Sequence, residues 1–287
     1  MSKPSSKLFQ RLEVADPLKL QPRDITLLRD VADFRFLNTE QVLALHEGSR
    51  RNLMERLSRL YHHGYLDRPV SQSSARLTSA HMVYSLGRKG AEQLSKDAEE
   101  REGIYRRLRE NERTLPLMAH SLMISQFRVC LTLAAKQHGA KITRFTQGYD
   151  LKDMLRDVHG ENPSLVPDAF FTLEEKGDVI NFFLEADRGT MKTERVVDKL
   201  KTYWSWRSDE RLKKKLRLTR FRVLTIAPSE RRSDSLRNAG KGGDPRGDGS
   251  LMFLFTAETR YSLSEPKKLL EPIWKSPKDD TPHTILE

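Results

Sequence analysis

Two apolar runs of strand length, each with an acid set among large hydrophobic side chains, constrain this chain more than any other feature. The first is Leu165-Val166-Pro167-Asp168-Ala169-Phe170-Phe171. The second is Asn181-Phe182-Phe183-Leu184-Glu185-Ala186-Asp187, and a charged stretch containing Gly177 separates the two as a hairpin turn would. A lone charge among such neighbours is costly or shifts its pKa, so Asp168 and Glu185 require partners. A divalent metal is one candidate, and Arg188, Arg195 or Lys199 as neutralising cations are another. Strand periodicity puts Glu185 and Asp187 on one face.

Ahead of these runs, the chain reads as a basic helical module. Ile25, Leu28 and Val31 repeat at helical spacing behind Pro22, which suits a first turn. Asn38 followed by Gln41 predicts a capping-box start to a second helix. A third helix begins after Gly48-Ser49, with Leu53, Met54, Leu57, Leu60 and Tyr61 as its apolar stripe, and ends at Gly64. A hairpin with a Ser-rich tip follows, and Tyr84 to Leu94 reads Tyr-x-Leu-Gly-x-x-Gly-x-x-x-Leu into a closing helix. Three helices, a two-stranded wing and a closing helix resemble a winged helix-turn-helix. That resemblance implies a third helix lying in the major groove and a wing touching phosphates. The candidate DNA-binding residues are Arg50, Arg51, Asn52, Arg56, Arg59 and His62 on the helix, with Arg76, Arg88 and Lys89 on and behind the wing.

The net charge of +11 favours a polyanionic partner, and double-stranded DNA is the expected one. No apolar run is expected to reach the roughly 20 residues of a membrane span, and no signal-peptide core is evident at the N-terminus. The single cysteine, Cys130, excludes an intramolecular disulfide and a Cys-rich zinc site, so a reducing, cytoplasmic setting is expected. The expected organisation is a flexible tail over 1–19, a winged helix over 20–95 and a charged helical connector over 96–114. An α/β domain over 115–262 and a C-terminal tail over 263–287, with Trp274 as a docking anchor, complete it. Within the α/β domain, 117–138 reads as an interior helix holding His120 and Cys130, and 148–162 as an irregular charged insertion. Helices and strands alternate as α, β, β, β, α, β, α, β, a mixed sheet flanked by helices. The Gly-rich stretch 240–249 reads as a flexible loop, since no Gly-Lys-Ser/Thr of a P-loop is present. The basic run from Arg211 to Arg220, beside Tyr203, Trp204 and Trp206, is either a solvated helix end or a phosphate contact.

Pro167-Asp168 followed by Glu185-x-Asp187 resembles the PD-(D/E)xK nuclease-like superfamily. The resemblance implies an α+β chain: a winged helix-turn-helix followed by a mixed-sheet nuclease-like domain. It also implies Mg²⁺ or Mn²⁺ held by Asp168 and Glu185. The expected lysine position is occupied by Asp187, which cannot supply the missing cation. Lys192 or Lys199 on the following helix could take over that part, giving Asp168, Glu185, Asp187 and Lys199 as the catalytic set if the site is active. Together with Glu185-Ala186-Asp187-Arg188-Gly189-Thr190 and Lys199-Leu200-Lys201-x-Tyr203, the whole pattern resembles the replication-relaxation family over about residues 20–260. That resemblance implies a DNA-binding accessory factor of a bacterial plasmid or mobile element acting in replication control, without an established catalytic activity, and the missing motif lysine points to an inactive nuclease-like domain. Replication or mobilisation proteins, or a second copy in a homodimer, are its further expected partners. A Mg²⁺/Mn²⁺-dependent endonuclease and a protein-interaction adaptor are the alternatives.

Overall fold

The computed structural model describes residues 6–12, 17–74, 82–95, 102–104 and 115–286. The chain divides into two compact units, Met1–Val129 and Cys130–Glu287. The tip of the expected wing, with Arg76, and most of the expected connector over 96–114 lie outside the described residues.

In the first unit, α1 (Pro22–Phe34) opens with Pro22 in its first turn, and the Gln21 backbone N–H donates to Asp24 Oδ2 at 2.6 Å. Strand β1 (Leu37–Asn38) leads into α2 (Thr39–Leu45), whose start is the reciprocal capping box that the sequence predicts. Gln41 N–H donates to Asn38 Oδ1 and Asn38 N–H to Gln41 Oε1, both at 2.9 Å. Helix α3 (Arg50–His62) buries Leu53, Leu57, Leu60 and Tyr61. Met54, expected in that stripe, is 44% exposed, because the buried face is narrower than the apolar one. Strands β2 (Leu66–Asp67) and β3 (Val83–Leu86) complete a three-stranded antiparallel sheet with β3 in the middle, and α4 (Arg88–Leu94) follows. The glycine spacing before and within α4 has a steric cause. A Cβ on Gly87 would lie 2.5 Å from the Gly64 carbonyl oxygen, and one on Gly90 would lie 2.2 Å from that of Tyr65.

Helix α5 (Leu115–His138) carries the chain from one unit into the other. By length and composition it is apolar enough to cross a membrane, which corrects the expectation that no run in this chain is. In the first unit its polar groups are used in packing. Ser125 Oγ donates to the Phe34 and Phe36 carbonyls at 3.2 and 2.7 Å, and Arg128 Nη1 donates to the Asp33 carbonyl at 2.7 Å. Cys130 is buried, as expected, and burial pushes its thiol up to about 12.

The second unit is built on a seven-stranded mixed sheet. Its strands are β4 (Lys141–Gln147), β5 (Ala169–Glu175), β6 (Asp178–Ala186), β7 (Phe221–Ala227), β8 (Phe253–Ala257), β9 (Trp274–Lys275) and β10 (Pro282–His283). They lie side by side in sequence order. The β6–β7 and β7–β8 pairs are parallel, and the others are antiparallel. The β5–β6 register sets Phe170 opposite Phe183 and Phe171 opposite Phe182, so rings pair on both faces of the hairpin at 5.1 and 4.8 Å. One face of the sheet meets α6 (Gly148–His159), α7 (Thr193–Trp206), α8 (Glu210–Leu216) and α9 (Glu230–Ala239) in a shared apolar cluster. Leu155, Phe183, Leu200, Tyr203, Leu212 and Leu236 belong to it.

Three expectations about this unit need correcting. Residues 148–159 form a regular helix rather than an irregular insertion, because Leu151, Leu155 and Val158 recur at helical spacing between the charges. The segment from residue 263 onward is no tail in the described structure: it supplies β9 and β10, and Trp274 is fully buried with its indole N–H on the Leu269 carbonyl at 3.0 Å. The start of the Gly-rich stretch is packed, not loose. Gly243 is buried so closely that an added Cβ would meet Leu200 Cβ at 2.6 Å.

Candidate functional site

The acid-bearing hairpin places its carboxylates at one end of the β5–β6 ladder. Asp168 stands immediately before β5; its N–H donates to the Leu184 carbonyl at 3.1 Å. Its carboxylate reaches across to accept the Ala186 N–H at 2.7 Å, so the side chain extends the strand pairing by one bond. Glu185, near the end of β6, points at α7. Lys199 Nζ donates to its Oε2 at 2.5 Å and Tyr203 Oη to its Oε1 at 2.6 Å. Lys199 and Tyr203 are four residues apart, hence neighbours on one helix face. The structure thus brings together Asp168, Glu185 and Lys199 as anticipated from the sequence. Tyr203 is the member missed as a site residue, although it closes the Lys199-Leu200-Lys201-x-Tyr203 pattern.

Asp187 goes elsewhere. Arg232 on α9 grips it in a fork, Nε to Oδ2 at 2.7 Å and Nη2 to Oδ1 at 3.1 Å, and also donates to the Met191 carbonyl at 2.6 Å. The Gly189 N–H donates to Asp187 Oδ2 at 2.9 Å. Charge-assisted bidentate pairing of this kind fixes geometry, so Asp187 secures the strand end and the turn after it. Arg188 and Arg195, the other cations considered as neutralising partners, are exposed. Arg232 lies some 45 residues beyond Asp187, and no local signal connects the two.

Burial dominates the electrostatics of the cluster. It raises the Asp168 carboxyl to about 6, against the Ala186 bond and Lys199, which pull it down. Burial and then the nearby Asp168 charge raise Glu185, against the attraction of Lys199 and the Tyr203 bond. The acids in turn hold Lys199 above the ordinary lysine value despite its desolvation. Two acids thus share one ammonium. As arranged, the set is not a metal cradle. Each Glu185 oxygen already accepts a bond, the ammonium stands where a cation would bind, and Asp187 is committed to Arg232. Among the described residues no three metal-ligating side chains converge.

The candidate DNA-binding residues sort into three groups. Arg51, Asn52 and Arg59 on α3 and Lys89 on α4 are exposed. Arg50 is also exposed but forks onto Glu40, with Nη1 to Oε2 at 2.8 Å, and Arg88 bridges to Glu92 within α4 at 3.3 Å. Arg56 and His62 belong to the unit's own packing. Arg56 Nε donates to buried Asp24 at 2.7 Å and its Nη2 to the Lys19 carbonyl at 2.9 Å. His62 Nδ1 accepts the Leu12 N–H at 3.1 Å, and burial together with Arg68 and Arg11 lowers its pKa. His63 was missed: burial lowers its pKa, and Arg59, Lys89 and Arg56 lower it further, which marks a cationic patch at the C-terminal end of α3.

The fold and its sites define a class: an α+β protein in which N-terminal helices with a small antiparallel sheet precede a seven-stranded mixed sheet with helices. The chain matches the model of the replication-relaxation family over residues 28–219, which is 192 of its 287 residues. It belongs to that family. The match ends before β7, so the last four strands lie beyond it. No curated protein and no solved structure matches.

Proposed function

We propose that this protein is a DNA-binding accessory or regulatory factor in the replication of a bacterial plasmid or mobile element. Family membership supports the connection with replication. The observation that carries DNA binding is the division of labour on α3. Its inner face is fixed by Leu53, Leu57, Leu60 and the Arg56–Asp24 pair, while Arg51, Asn52 and Arg59 stand in solvent. Helix, strand, two helices, two strands and a closing helix follow the order of a winged helix, in which such a face enters the major groove. Double-stranded DNA is the proposed partner, and the second unit is read as a nuclease-like scaffold without activity. Changing Arg51 and Arg59 together to Ala should weaken duplex binding at least tenfold in a titration at fixed salt. Unchanged affinity would refute this docking mode.

A metal-dependent endonuclease is the second reading, favoured by the meeting of Asp168, Glu185 and Lys199. The two-carboxylate donor set, with Lys199 in the cation's place, argues against it. Incubating supercoiled DNA with Mg²⁺ or Mn²⁺ decides the matter: nicking by wild type that Asp168→Ala removes would establish the nuclease, and intact DNA in both is the expected result.

A further inference from the structure

We propose that the second unit carries its own contact surface for the phosphate backbone of double-stranded DNA, formed by Arg211 and Lys214 on α8 with Arg217 and Arg220 in the turn leading to β7. The inference rests on the DNA-binding reading for the class of ligand, and it adds a site on a different part of the chain.

Helix α8 turns Leu212 and Leu216 into the apolar cluster and leaves Arg211, Lys214 and Lys215 outside. The acids nearest in sequence are already engaged. Asp209 caps α8 through the Leu212 N–H at 2.9 Å and bonds His159 at 2.8 Å, and Glu210 takes Lys213 at 2.8 Å. Asp157 takes Lys215 at 2.5 Å. Arg211, Lys214, Arg217 and Arg220 are exposed and form no ion pair with a described residue. Four unneutralised cations within ten residues are what a polyanion would meet.

The aromatic neighbours decide which polyanion. Tyr203 is fully buried and Trp206 is 4% exposed, both packed on Phe183. Trp204 is half-buried near Phe253 and covered by the Arg207 guanidinium 4.3 Å from its ring centre. Two of these rings are held in the core and the third lies under Arg207, so none of the three is open for unpaired bases to stack on. What remains is charge without base readout, which suits duplex phosphates and makes binding independent of sequence.

The test compares the full chain with the variant Arg211→Gln/Lys214→Gln/Arg217→Asn/Arg220→Gln on a random-sequence duplex over a range of salt concentrations. Asn at 217 tolerates the left-handed backbone there, φ +58°. Wild type should show a log–log salt slope steeper than the variant's by about 3–4, since each phosphate contact contributes about 0.9. The pair Arg211→Gln/Lys214→Gln, which leaves the turn untouched, should lose about 2. An unchanged slope in both variants overturns the proposal. So does a loss confined to binding of phosphatidylglycerol vesicles with DNA binding intact, which would make the surface a lipid contact. If the Arg51/Arg59 change abolishes binding while these variants match wild type, only the second surface fails. If wild type shows no salt-sensitive DNA binding, the DNA-binding reading falls as well.

Discussion

Asp24 in the first unit and Glu185 in the second are both buried acids held by a cation from a helix, yet they sit in opposite balances of charge. Asp24 pairs one-to-one in charge with the guanidinium of Arg56, which otherwise donates to the neutral Lys19 carbonyl, and the Gln21 N–H satisfies it further. Glu185 shares the single ammonium of Lys199 with Asp168. A one-to-one buried pair ties elements together. Two buried acids beside one ammonium are both pushed up by burial, so a proton can answer part of their charge. The first arrangement explains why Arg56 is withdrawn from the exposed face of α3. The second explains why the acid cluster keeps the look of a reactive site even where its donor set does not suit a metal.

The largest expected effect is that of Lys199→Met, which strips its cation from buried Glu185 and should cost about 3–5 kcal/mol at neutral pH in urea denaturation. Adding Glu185→Gln to it should recover most of that loss; no recovery would mean that Lys199 acts by packing, and the contrast with Asp24 would collapse. Next comes Arg56→Ala, expected to cost about 1.5–3 kcal/mol by orphaning Asp24's charge-assisted bonds. An equal loss from Arg56→Ala on an Asp24→Asn background would show that the charge of Asp24 is not the cause.

Asp168→Asn should give the smallest and most diagnostic change, because it keeps an oxygen for the Ala186 N–H and removes a carboxyl that burial disfavours in its charged form. Below about pH 4 the wild-type carboxyl is protonated in folded and unfolded chains alike. As pH rises through its folded value of about 6, the unfolded chain ionises first and the wild type loses stability. The variant escapes that loss, so its advantage should grow between pH 4 and 7 to on the order of 1–3 kcal/mol. A constant difference across that range would show that Asp168 is not strained by its burial.

Much of this was legible in the chain. The capping box at Asn38 and Gln41, the α3 stripe apart from Met54, and the strand pair around Asp168 and Glu185 are local patterns, and the structure keeps them. Two lysines of the next helix, Lys192 and Lys199, were open as cations for these acids, and it is Lys199, flanking the buried Val196, Leu200 and Tyr203, that meets Glu185. Helix α6 was lost to the eye because its charges outnumber Leu151, Leu155 and Val158, although their spacing is helical. Strands β9 and β10 are two residues each, too short for any alternation to show, and exist because β8 offers an edge to pair with.

By itself, the sequence determined that Asp168 and Glu185 must be buried and partnered, since no solvated arrangement hides Phe170, Phe171, Phe182 and Phe183. Only the tertiary structure decided who the partners are. Asp187, two residues from Glu185, went to Arg232 on a different helix. Arg56, one of the row of cations on α3, turned inward while Arg51 and Arg59 did not. Periodicity specifies which face a side chain occupies, but an ion pair depends on which element packs over that face, and that is settled only when the whole sheet and its helices are in place.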